Sequence, residues 1–225
     1  MPIEKQARVL LDKKPSSVLA YPSNLTRLAQ FFAKNGLELP ELKQLTTYGE
    51  TVLPETVDVC LDTWGVAPTD MYSSEEVGYI ALQCPQGDGY HCMSESILVE
   101  VLDESGNACQ PGEIGRVVLT VLHNFAMPMI RYENLDYAEV GPPCECGRGL
   151  PVIKRIMGRK RNMARTLDGS RFWPLLDPAI WSDDIYCDSL QLVQDANDHI
   201  ELKIVSEQPL EPSRENELTQ ALGRA

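Results

Sequence analysis

One change of pattern, at Tyr72, limits what this chain can fold into. Before it, helical and strand-like stretches alternate. Residues 3–13 (IEKQARVLLDK) have helical spacing, and Pro15-Ser16-Ser17 breaks them from a short apolar run, Val18 to Tyr21. Ser23 is expected to cap a helix through Phe31-Phe32 that stops at Gly36. Leu42 to Tyr48 reads as a strand ending at Gly49-Glu50. Pro54 opens a helix to Trp64, with Gly65 beyond it, and Thr69 to Tyr72 reads as the next strand. This alternation predicts an α/β layer with parallel strands.

After Tyr72 the runs turn β-rich: Val77 to Leu82, Ile97 to Leu102 and Ile114 to Leu122. Ser105-Gly106-Asn107 and Pro111-Gly112-Glu113 supply turns, so this part is expected to be antiparallel and curled like a barrel. A third block begins near Gly158. It offers strands at Ser189 to Val193 and Ile200 to Val205, a turn at Asn197-Asp198, and a final helix over 211–225. The fold class is therefore mixed α/β: an α/β part over 1–76, a β-rich part over 77–157, and a small α+β part over 158–225.

Charge narrows the partners. With 20 Lys plus Arg against 33 Asp plus Glu, the net charge of -13 repels phosphate backbones and anionic membranes, though one small nucleotide needs only a local pocket. No apolar run is long enough to span a bilayer, and Met1-Pro2-Ile3-Glu4-Lys5-Gln6 has no hydrophobic signal core. A cytoplasmic chain is expected. Seven cysteines in such a chain favour metal binding or buried thiols over a disulfide framework.

Cys84 and His91 flank the turn-forming stretch 85–89, and Cys144-Glu145-Cys146-Gly147 follows much later. Three thiolates and one imidazole suit a tetrahedral zinc, and glycine lets the Cys-x-Cys turn bend tightly. The spacing is not that of a standard zinc ribbon, so buried thiols remain the alternative. Cys92 points the other way from His91 in an extended segment, and Cys60, Cys109 and Cys187 read as structural thiols.

Three further strings carry chemistry. Met71 to Gly78 lies where a strand hands over to a loop, the place where α/β folds bind ligands. There Tyr72 can stack on a base and Glu76 can hold Mg²⁺; the plain alternative is a polar turn. In Pro128 to Asp136, Arg131 offers a forked donor and Asp136 can accept from a ribose diol, against an ordinary internal salt bridge. Gly158-Arg159-Lys160-Arg161-Asn162 is a basic patch in an acidic chain, either an anion-binding linker or a solvated loop.

Taken in order, Thr47 to Glu50, Tyr72 to Glu76, Gly112 to Arg116, Met129 to Asp136, Cys144 to Arg148 and Gly158-Arg159 resemble the adenylate-forming superfamily. The nearest branch is that of phenylacetate–CoA ligases and their capsular-polysaccharide relatives. The resemblance implies ATP-dependent activation of a carboxylic acid, aromatic by default, and transfer of the acyl group to coenzyme A. It implies that Gly49 and Glu50 lie along adenine, Tyr72 stacks on it with Ser73 also binding the nucleotide, Glu76 binds Mg²⁺, and Asp136 holds the ribose. It further implies that Arg159 reaches ribose or phosphate, with a hinge near Arg161-Asn162, and that Cys84, His91, Cys144 and Cys146 hold structural zinc.

The chain departs from that pattern at Ser73 (usually Gly), Glu75 (usually a small hydroxyl residue), Asn134-Leu135 (usually Thr-Gly) and Arg161-Asn162 (usually an acidic pair). No Ser/Thr/Gly-rich phosphate loop occurs in the sequence, and the family's catalytic lysine is not reached. The chain is thus expected to be a central-to-C-terminal piece, inactive by itself and prone to self-associate, with a homodimer as the simplest form. The alternative is a zinc-stabilised binding or scaffold module without catalysis.

Overall fold

The computed structural model describes all residues except 88, 175–186, 197–198, 207–208, 210 and 223–225. It divides into two units, Met1–Gly158 and Arg159–Ala225. The expected turn at Asn197-Asp198 and the last three residues of the expected final helix lie outside the described residues, as does the side chain of Cys187.

The first unit begins with α1 (Ile3–Lys13) and continues through β1 (Ser17–Ala20), α2 (Pro22–Asn35), β2 (Gln44–Tyr48), α3 (Pro54–Trp64) and β3 (Pro68–Ser74). Strands β1, β2 and β3 pair in parallel. Both connections are helical and run the same way along the sheet, so right-handed crossovers put α2 and α3 on one face. There Leu25, Leu28, Ala29 and Phe32 of α2 meet Ala7 of α1, Leu45 of β2 and Cys60 of α3 in one core. Phe32 and Trp64 meet edge to face, with ring centres 5.5 Å apart.

Ser23 is not the cap of α2. The N-cap is Tyr21, and Pro22 takes the first helical turn, where its missing N–H and fixed φ cost nothing. Gly36 and Gly65 end α2 and α3 in the left-handed conformation, where a Cβ would be strained.

Beyond β3 the pairing becomes antiparallel: β4 (Gly78–Gln83), β5 (Tyr90–Cys92), β6 (Ile97–Leu102), β7 (Ile114–Val121), β8 (Tyr132–Val140) and β9 (Val152–Arg159). All nine strands form one sheet, in the order β1-β2-β3-β4-β5-β9-β8-β7-β6. Tyr72, Ile80, Cys92, Ile97, Val117, Leu119, Ala138 and Ile153 share a second core, so the sheet curls round it. The α/β and β-rich parts are thus two cores on one continuous sheet. Three strands of this sheet escaped the sequence pattern: β5 is only three residues long, while β8 and β9 carry charged residues at many positions.

The second unit holds a short 3-10 turn (Lys160–Asn162), a small antiparallel pair, β10 (Ala164–Arg165) with β11 (Arg171–Phe172), and a longer one, β12 (Cys187–Ala196) with β13 (His199–Ser206). Helix α4 (Pro212–Leu222) completes it.

Candidate functional site

Two clusters of chemistry-bearing residues form in the first unit. The first is the thiol–imidazole group. The turn after β4 presents Cys84, β5 presents His91, and the loop between β8 and β9 presents Cys144 and Cys146. One ligand atom from each lies within 4.8 Å of the others. Cys84 Sγ and Cys144 Sγ are 3.8 Å apart, and Cys146 Sγ is 3.2 Å from His91 Nε2.

A disulfide would need about 2.05 Å. A tetrahedral zinc with bonds of about 2.3 Å to sulfur has an S···S edge of roughly 3.8 Å. The donor set and its spacing therefore fit zinc, and three sulfurs are wrong for Mg²⁺ or Ca²⁺. His91 Nδ1 is buried and has no hydrogen-bond partner among the described residues. A backbone N–H from Gln86 holds the Cys84 thiol below its ordinary pKa, and one from Arg148 does the same for Cys146. Both favour the thiolate that a metal requires. Cys92 is buried in the β-rich core, as extended geometry requires of a neighbour of His91.

The second cluster joins β3 to β8. The register of β7 and β8 shifts: Val118 faces Glu133, but Arg116 faces Tyr137. Val117 therefore opposes three residues, Asn134, Leu135 and Asp136, which form a bulge. Leu135 sits at φ 67, in the left-handed region. The bulge re-aims its neighbours, as bulges beside functional sites often do. Tyr72 donates its hydroxyl to Asp136 Oδ2 at 2.8 Å. Asn134 Nδ2 donates to Tyr72 Oη at 2.8 Å and to Asp136 Oδ2 at 2.7 Å, and Asn134 Oδ1 accepts the Asp136 N–H at 3.1 Å. The Tyr72 ring is buried, with 7% of its surface open.

Gly49 and Glu50 follow the last β2–β3 register pair, Tyr48 with Met71, and so adjoin Tyr72 at the C-terminal edge of the parallel strands. Gly49 has φ 76, and a Cβ there would lie 2.8 Å from the Tyr21 ring. Tyr21 packs on Tyr48 with ring centres 4.6 Å apart, and their hydrogen bond, before burial, raises the Tyr48 hydroxyl pKa. Glu50 Oε2 accepts the Ser23 N–H at the start of α2.

Ser73 lies at the register shift between β3 and β4, and Glu76 is exposed in the turn that follows. Arg131 has φ 51 and pairs with Glu100 at 3.5 Å. Arg159 ends β9 and opens the second unit. Sequence reading singles out Tyr72 and Asp136 as site residues and notes Asn134 only as a departure from the family pattern, with no role of its own. The available signal was an Asn two positions before an Asp, a local turn former that replaces the usual Thr.

A further network links β2, β3 and β5. Asp70 accepts from Thr47 Oγ1 and Tyr90 Oη, each at 2.8 Å. Burial, and then the Asp70 charge, push the Tyr90 hydroxyl pKa up.

No family model matches the chain. A phenylacetate–coenzyme A ligase of Thermus thermophilus is 30% identical over an alignment of 167 residues that covers 71% of this chain and 38% of that protein. The chain thus spans well under half of that curated relative's length. A 2-hydroxyisobutyryl-CoA ligase structure in the postadenylation state, in complex with R3-HIB-AMP, aligns over 98% of this chain and 52% of its own, with a TM-score of 0.79 and 24% identity. A second structure of that ligase, an open conformation with 2-HIB-AMP and CoA, aligns over 90% of this chain and 46% of its own, with a TM-score of 0.65 and 25% identity.

Proposed function

We propose, from the premise that this chain is a homologue of the phenylacetate–coenzyme A ligases of the adenylate-forming superfamily, that it is the nucleotide-facing section of an acyl-activating ligase. The reaction activates a small carboxylic acid with ATP as an acyl-adenylate, releasing pyrophosphate, and passes the acyl group to coenzyme A. The observation that carries the reading is the bond between Tyr72 and Asp136 beside Gly49 and Glu50. It gathers a carboxylate, a tyrosine and an open backbone strip at the C-terminal ends of parallel strands, where such sheets bind ligands.

In this reading Asp136 accepts the ribose hydroxyls, Gly49, Glu50 and Ser73 border the base with Tyr72, Glu76 meets Mg²⁺, and Arg159 approaches the ribose or phosphate. These residues position a nucleotide and balance its charge, which is most of what adenylation asks of a protein. Cys84, His91, Cys144 and Cys146 would hold zinc, whose part is structural: it fixes the β4–β5 turn to the β8–β9 loop. Use of ATP and coenzyme A supports a cytoplasmic protein in this reading.

Carboxylate-dependent exchange of pyrophosphate into ATP is the test. The 225-residue polypeptide should show none, because its sequence contains no Ser/Thr/Gly-rich phosphate loop, while it should still bind AMP. A longer polypeptide that supplies that loop and the lysine should catalyse the exchange. Exchange by the 225 residues alone would overturn the division of labour, and no AMP binding would overturn the nucleotide site.

A further inference from the structure

We infer that Asn134 is a positioning residue, which fixes the Asp136 carboxylate as an acceptor for a vicinal diol and ties it to Tyr72. The inference rests on the nucleotide reading above, but on observations particular to this chain. Asn134 is buried, with 7% of its surface open. Its amide has two protons, and the structure gives each an acceptor: Tyr72 Oη and Asp136 Oδ2. Its carbonyl takes the Asp136 N–H. Turning the amide over would set its oxygen against the carboxylate and its NH₂ against an N–H, so the network admits one orientation.

The backbone explains how a residue two positions from Asp136 reaches the same point. In regular β geometry, residues 134 and 136 would share a face but stand apart by two rises, about 6.8 Å. The bulge, with Leu135 at φ 67, brings both side chains onto Tyr72. Two donors on one oxygen, from Asn134 and Tyr72, set the plane of the Asp136 carboxylate. A carboxylate has about four acceptor sites, so it can take diol hydroxyls besides. Asn134 then acts through Asp136, and its contribution falls on recognition of the diol.

The experiment compares AMP with 2′,3′-dideoxy-AMP by calorimetric titration of the 225-residue chain. Wild type should prefer AMP. Asn134→Asp keeps the acceptor for the Asp136 N–H, and so keeps the turn. It replaces the donor with a charge that repels the carboxylate. It should weaken AMP about tenfold or more and leave dideoxy-AMP nearly unchanged. Asn134→Ala should lose preference in the same sense, and Asn134→Thr, which restores a hydroxyl donor, should recover part of it.

An equal loss for both ligands in Asn134→Asp and Asn134→Ala, with folding retained by circular dichroism, would assign Asn134 a structural role and overturn the inference. Unchanged preference in both variants would overturn it too. Binding of neither ligand by wild type would overturn the nucleotide reading itself, and this inference with it.

Discussion

Leu135 and Gly49 show opposite solutions to one backbone demand. Both have positive φ, but only one is glycine. A left-handed conformation costs an L-residue about 1–2 kcal/mol, and glycine adds about 0.5–1 kcal/mol of unfolded-chain entropy. Leu135 is 62% exposed and loses little burial on truncation. Leu135→Gly should therefore stabilise the chain by about 0.5–1 kcal/mol, read as a higher urea midpoint at unchanged slope. Gly49→Ala should do the reverse by about 1–2 kcal/mol, because the new Cβ meets strain and the Tyr21 ring together.

Buried thiols give a second residue-scale expectation. Burial pushes Cys60 and Cys92 up to about 11 from an ordinary 9.0. Iodoacetamide at pH 8 should leave both unmodified in the native chain and label them after unfolding in urea. These two groups and Tyr90, also raised, keep their protons in the folded state where the unfolded chain gives them up. The unfolded state binds fewer protons across that window, so stability falls as pH rises. The urea midpoint should be steady up to about pH 8.5 and drop between pH 9 and 11. A midpoint that stays flat to pH 11 would contradict the burial of these groups.

Among the elements, legibility followed the source of each element's order. Helices α1 and α3 begin and end where the sequence reading put them, since spacing, Pro54 and Gly65 are local signals. Strands β8 and β9 were missed because their order is not local. Tyr132 to Val140 carries acidic residues on a bulged strand, and β9 owes its place to neighbours far away in sequence. The same holds for the candidate site: Tyr72 and Asp136 are visible as residue types, whereas the bulge that joins them through Asn134 is a property of register.

Among the described residues the β5–β9 ladder has two register pairs, Tyr90 with Ile153 and His91 with Val152. The Cys84, His91, Cys144 and Cys146 cluster sits beside it, and a zinc held there would carry much of the joint. Cys144→Ser should lower zinc from about one per chain and destabilise the β-rich half by several kcal/mol, checked by elemental analysis and thermal unfolding. A chain with no zinc and undiminished stability would remove the metal from this account.

On the scale of the molecule, both large cores lie within Met1–Gly158, the unit that also holds both clusters. A polypeptide ending at Gly158 should fold by itself, with cooperative urea unfolding and AMP affinity reduced only by whatever Arg159 contributes. Non-cooperative unfolding of that piece would mean that the second unit supplies part of the first unit's core. Among the described residues no helix is long and apolar enough to cross a membrane.

The sheet order carries a consequence for how the chain is made. His91 finds its partner Val152 only 61 positions later. At about 5–20 residues per second, a ribosome takes roughly 3–12 s to synthesise that interval. For that time β5 has β4 on one side and an open edge on the other, with Cys144 and Cys146 still unsynthesised. The β-rich half therefore closes only once β9 has been made, and until then the β4–β5 hairpin is the open edge that a nascent-chain chaperone would meet.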